Sequence, residues 1–108
     1  MKLRRDPFQA IADPTRRAIL VLLASQTMTA GAIASEFDVA RPTISKHIQV
    51  LNECELIESH QQGREIYYEL KSEKLRDIDH WLNQFREIWQ SRYAQLDQLI
   101  SKIQKPKK

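Results

Sequence analysis

The sequence predicts a mainly α-helical fold with one short β-hairpin, on three observations. The 108 residues include only 2 Gly and 4 Pro, too few for a turn-rich β protein. Between Met28 and Leu51 apolar residues recur at helical spacing in two short blocks with a polar break between them. After Glu55 the period changes to alternation, with Gly63 in the middle of the alternating stretch.

In chain order, Phe8, Ile11 and Ala12 form an apolar stripe on a short first helix. Asp13-Pro14 then resets the chain. An aspartate accepts backbone N–H groups at an N-cap, and proline fits the first helical position because its missing N–H has no partner there. The helix PTRRAILVLLAS follows, apolar at Ile19, Leu20, Leu22 and Leu23, as expected of a central core element. Arg16 and Arg17 in its first turn have the reach for DNA phosphate, but arginines there more commonly cap acids or stay solvated.

Thr29 opens the next helix, with Ile33, Ala34 and Phe37 at core spacing and small residues Ala30, Gly31, Ala32 and Ala34 that permit close helix approach. Phe37 to Ala40 reads as a turn. Pro42 again suits a first turn, although Ala40 is a poor N-cap. On this second helix a step of about 100° per residue puts Ile44, Ile48 and Leu51 in one arc facing the core. Pro42, Ser45, Lys46 and Gln49 occupy the opposite face, and no carboxylate appears before Glu53. A helix in a major groove needs such a surface, because it must hydrogen-bond bases and phosphates without charge repulsion. An ordinary solvated face has the same composition, so the face alone does not separate the two.

Residues 56–60 and 65–70 read as a β-hairpin, with Ile66, Tyr68 and Leu70 on one face and Gly63 supplying the turn. Arg64 falls at the exposed tip. A tip arginine is ordinarily just solvated, but beside two helices of this spacing it suits a narrow minor groove. Together these elements read as a winged helix-turn-helix of about five helices and a two-stranded wing.

From Ser72 to about Gln104 there is no Gly or Pro. Apolar residues recur at Leu75, Ile78, Leu82, Phe85, Trp89, Tyr93, Leu96, Ile100 and Ile103, widened by Trp81, Ile88 and Leu99. Three- and four-residue spacings alternate, with one phase change between Trp89 and Tyr93, as in a coiled coil. A domain this small cannot cover so long an apolar helix, so a second copy is the economical partner, the alternative being a helix folded back on its own domain. The expected organisation is one domain over residues 1–108, with 73–104 as a dimerisation helix ending at Pro106 and a frayed tail of Lys105 to Lys108.

Composition narrows the function. With 17 basic and 14 acidic residues the formal charge is +3, too small an excess for a polybasic arm. Cys54 is the single cysteine, which excludes a disulfide framework and weakens any thiolate metal site; it reads as a packed or partly exposed structural thiol, the alternative being a thiol sensor, because no resolving cysteine accompanies it in the chain. No apolar run reaches the roughly 20 residues of a membrane span. The start MKLRRDPF lacks the apolar middle of a secretory signal, so a cytoplasmic location and no membrane partner are expected. Neither a Gly-rich phosphate loop nor a nucleophile motif is present, which argues against an enzyme and leaves no catalytic residues to name.

Over nearly its whole length the chain resembles the ArsR family of bacterial winged-helix repressors. The resemblance rests on FQAIADPTRRAIL, on MTAGAIASEFDVARPTISKHIQVLNECELI and on the wing signature QQGREIYYEL. It implies a homodimer held by its first and last helices, with the interface at Phe8, Ile78, Leu82, Phe85, Trp89, Tyr93 and Leu96. It also implies double-stranded DNA as partner, contacted by Arg41, Thr43, Ser45 and Lys46 in the groove and by Arg64 at the wing; Gln49 is added by the helical wheel alone. His47 fits the family's Ser-x-His pattern but flanks the core face, which favours a half-buried hydrogen-bonding role over base reading.

Thiolate sensors of the family carry a Cys-x-Cys pair near the second helix, and Asp38 to Ser45 has no cysteine. Others use carboxylates and histidines on the last helix. Here Asp77, Asp79 and His80 are present, but Ile78 stands two before His80 and no histidine follows. The expectation is therefore no metal and no cofactor, with the effector undefined. The leading function is a dimeric repressor on an inverted-repeat operator; the alternatives are a winged-helix protein-interaction module and a metal-responsive repressor.

Overall fold

The computed structural model describes residues 6–104. The short helix α1, Pro7–Ala10, is capped by Asp6, whose carboxylate accepts the Gln9 amide at 2.9 Å. Helix α2, Pro14–Ser25, starts at Asp13 as expected, with Thr15 and Arg16 amides donating to Asp13 Oδ2 at 2.8 and 3.1 Å. Strand β1, Met28–Thr29, leads into α3, Ala30–Ala34. Helix α4, Arg41–Glu53, is followed by β2, Ile57–Gln62, and β3, Glu65–Leu70. The long helix α5 runs over Leu75–Gln104, which at 1.5 Å per residue makes it about 45 Å long. The expected helix end at Pro106 and frayed tail lie outside the described residues, as does most of the charged start.

Two compact units divide the chain, one ending at Ile78 and one beginning at Asp79. In the first, the core is built by Ile19, Leu20 and Leu23 of α2, Ile33 of α3, Ile44, Ile48 and Leu51 of α4, and Leu56 and Ile57 at the entry to β2. The arc of Ile44, Ile48 and Leu51 is buried as its spacing requires. Each such side chain contributes about 1.5–3 kcal/mol relative to remaining exposed. Cys54 is buried in the same core, the packed one of the two settings expected for it. The second unit is the helix from Asp79 onward; Trp81, Phe85 and Trp89 follow one another a turn apart, with ring centroids 4.9 and 6.4 Å apart.

How α4 stops decides where the wing begins. Glu55 takes a left-handed conformation, φ 62°. The Leu56 amide then donates back to the Leu51 carbonyl at 3.1 Å, and the Glu55 amide to that of Asn52 at 3.1 Å. That bonding closes a helix in a Schellman motif, and the accompanying hydrophobic contact is supplied by the buried Leu51 and Leu56. The next residue enters β2.

Two expectations change. The two-stranded hairpin of β2 and β3 forms as expected, but the sheet gains a third strand: the order is β1-β3-β2, with Met28 opposite Tyr68 and Thr29 opposite Tyr67, all antiparallel. Two residues are too short for an alternation to register in the sequence, and their partners lie about 40 positions away. The helix opened by Thr29 is also shorter than its apolar spacing suggests. Thr29 does cap it, with Oγ1 accepting the Ala32 amide at 3.1 Å, but the helix ends at Ala34 and Phe37 packs on the core from the turn that follows.

The hairpin loop is Gly63-Arg64, between the paired residues Gln62 and Glu65. Gly63 takes φ 65°, which a two-residue hairpin loop demands at this position and glycine adopts without steric cost.

Candidate nucleic-acid interface

Packing of Ile44, Ile48 and Leu51 turns the opposite side of α4 outward. Arg41, Pro42, Thr43, Ser45, Lys46 and Gln49 are all exposed, and the first carboxylate on the helix is Glu53 in its final turn. Ala40 makes no side-chain hydrogen bond to the helix start, as its methyl group dictates. The exposed stretch therefore offers hydroxyls, an amide and two cations on one rod.

Arg41 reaches back over α3, where its guanidinium lies 3.7 Å from where a side chain on Gly31 would begin. A bulky residue at position 31 would have to displace it. Arg41 and Arg64 line one cleft of about 410 Å³ together with Thr29, Gly31, Ile66 and Tyr68, so the wing tip and the start of α4 converge on one opening. Glu65 is the carboxylate on that lining.

His47 is half-buried and faces inward, as its place beside the core arc suggested. Its Nδ1 lies 3.2 Å from Arg16 Nη1 and its Nε2 3.9 Å from Asp13 Oδ2, so the ring sits between the first-turn arginine and the cap carboxylate. Arg16 also donates to the carbonyls of Ala10 at 2.8 Å and Gln9 at 3.1 Å, and Arg17 to that of Ile11 at 2.8 Å. Both arginines thus serve the carboxyl end of α1, a use that none of phosphate contact, acid capping and solvation anticipates. No sequence signal marks it, because the carbonyls become reachable only when α1 folds back on α2.

Burial works to raise the Asp13 carboxyl, but the Arg16 and Thr15 amides and the charges of His47 and Arg16 outweigh it and hold it below its ordinary value. A depressed folded value means the cap stabilises above the unfolded value near 3.8 and loses that contribution as pH falls through the folded one. Asp13→Ala should cost about 1 kcal/mol at neutral pH, a fall in melting temperature of about 4–8 °C. Thermal melts at neutral pH and below pH about 3 check this; a deficit that persists undiminished in acid would contradict the charged-cap account.

The expected dimer residues divide by exposure. Phe8, Trp89, Tyr93 and Leu96 are exposed, Leu82 and Phe85 are half-buried, and Ile78 is buried within its own chain, leaving it little area for a partner. Trp81, Ile88 and Leu99 add to the exposed apolar surface of α5.

A cationic, hydrogen-bonding helix face flanked by a hairpin tip defines the class: a winged helix-turn-helix DNA-binding protein. Comparison with known proteins agrees. A helix-turn-helix domain family matches residues 11–60. The transcriptional repressor SdpR of Bacillus subtilis is 46% identical over 78 residues, 72% of this chain and 87% of that protein. The HTH-type transcriptional regulator Rv2034 of Mycobacterium tuberculosis is 35% identical over 99 residues, 89% of this chain and 92% of its own. A solved ArsR family transcriptional regulator superposes with a TM-score of 0.67 at 38% identity, over 77% of this chain and 91% of that one. The chain belongs to the ArsR family, and it is a DNA-binding transcriptional regulator, not an enzyme.

Proposed function

We propose that the protein is a homodimeric repressor that binds an inverted-repeat operator in the cytoplasm. In this reading α4 enters the major groove with Arg41, Thr43, Ser45, Lys46 and Gln49, and Arg64 reaches the adjacent minor groove. The observation that carries it is the shared cleft of Arg41 and Arg64 beside a helix face free of acids until Glu53. Two arginines lining one opening suit a phosphate backbone passing between helix and wing. Repression is the activity named for the Bacillus subtilis relative.

Dimerisation is supported by α5. Trp89, Tyr93, Leu96 and Leu99 are each about half exposed or more along one helix, an apolar surface that water-soluble monomers rarely carry. In this reading the dimer interface takes in residues 73–104 and Phe8. A symmetric pair would present two α4 helices to successive major-groove faces about 34 Å apart, which selects a palindromic site. The cytoplasmic reading agrees with the absence, among the described residues, of any helix long and apolar enough to cross a membrane.

Mobility shifts on DNA flanking the protein's own gene test the reading. A discrete complex on one inverted repeat is expected, with affinity falling steeply as salt rises because several phosphate contacts release counterions. Weak binding of equal strength to any duplex, with a shallow salt dependence, would overturn it.

A further inference from the structure

The hairpin carries a second cluster of chemistry-bearing side chains, separate from the Arg64 tip. Glu58 and His60 alternate on β2 and so share one face of the sheet, and the register sets Glu69 of β3 directly opposite Glu58. The three side chains meet there. His60 Nε2 lies 3.3 Å from Glu69 Oε1 and 3.6 Å from Glu58 Oε1, and one ligating atom from each residue falls within 4.8 Å of the others.

Hydrogen bonding explains this grouping poorly. Both N···O distances exceed the roughly 2.7–3.2 Å of a good N–H···O bond, and one ring nitrogen directs a single proton or a single lone pair, not one to each of two carboxylates. Ion pairing accounts for the contacts only while the imidazole is protonated, whereas a shared cation would hold the same three groups around a neutral ring. Around a metal with bonds of about 2.0–2.2 Å, adjacent ligands stand about 3.0–3.5 Å apart, close to the separation of the imidazole from each carboxylate.

We infer that Glu58, His60 and Glu69 form a binding site for a divalent transition-metal cation, zinc being the simplest case. One imidazole nitrogen and two carboxylate oxygens would hold it, with water completing the shell. The nitrogen favours zinc, cobalt or nickel over magnesium and calcium, which take all-oxygen sets. Two carboxylates balance the charge of the ion. The ladder between β2 and β3 already holds all three Cα positions, so closure needs only side-chain rotation. Tyr67, opposite His60, is engaged elsewhere: its hydroxyl donates to Glu65 Oε2 at 2.9 Å. The carboxylate and histidine group singled out on α5 differs, because Asp79 is ion-paired with Arg86 and a metal would have to displace that guanidinium.

Calorimetric titration of the full-length protein with Zn²⁺ alone, and Co²⁺ absorption spectra, test the site without any reference to DNA. One ion per chain is expected, with shifts of the His60 ring resonances on Zn²⁺ addition. Losing a partner that merely orients a metal ligand costs 10–100-fold in affinity, so His60→Ala, Glu69→Gln and Glu58→Gln should each weaken binding at least about tenfold, while His80→Ala leaves it unchanged. His60 is exposed and both glutamates are only partly buried, so the variants should melt as the parent does. Absence of binding at millimolar Zn²⁺, or an affinity unchanged in all three wing variants, would overturn the assignment.

Discussion

Alanine at both Lys46 and Arg64 is expected to lower operator affinity by at least about a thousandfold. Each groove contact is worth roughly 1–3 kcal/mol, the two side chains recur in both protomers of the proposed dimer, and each 1.4 kcal/mol is tenfold. The salt dependence should flatten as well, by about one unit of slope for each phosphate contact removed. Both residues are exposed, so the fold and the dimer should survive, which melting and light scattering establish. A loss of less than tenfold, or regulation that persists in cells carrying the double variant, would favour a protein-interaction role over DNA recognition.

The second large effect concerns α5. Trp89→Glu combined with Leu96→Glu is expected to convert the protein to monomers at micromolar concentration. Burying each of these side chains contributes about 1.5–3 kcal/mol, the loss is counted twice in a symmetric interface, and the introduced carboxylates would resist desolvation. Roughly half of each side chain is already exposed in the single chain, so the substitutions should not unfold it. Operator binding should fall with dimerisation, because each half-site alone offers half the contacts. Sedimentation that still reports a dimer would move the interface elsewhere.

These expectations rest on features of unequal legibility in the sequence. Asp13-Pro14 announces a helix start because its chemistry is local, and the spacing of Ile44, Ile48 and Leu51 sets the buried side of α4 and therefore the exposed one. Gly63 marks the hairpin turn for the same local reason. What the sequence leaves hidden depends on partners far along the chain. Strand β1 is defined only by its pairing with Tyr67 and Tyr68. Arg16 and Arg17 find the α1 carbonyls only after a fold-back. Glu69 joins Glu58 and His60 only once the register of the hairpin is set. Ile78 belongs to the same lesson: its heptad position suggests a seam between chains, yet its own chain already covers it.

The pairing of β1 with β3 bears on how the protein can search DNA. Thr29 both caps α3 and stands opposite Tyr67 in the sheet, so the helix pair and the hairpin are clasped by one short run of backbone. In the proposed complex the wing is therefore not a free arm that feels for its groove after the helix has docked. Helix and hairpin tip would then act as two teeth of one key, cut to a set spacing before any DNA arrives. On the proposed reading, little conformational freedom would be left to lose on binding, and a site whose two grooves are out of step with that spacing would be rejected as a whole.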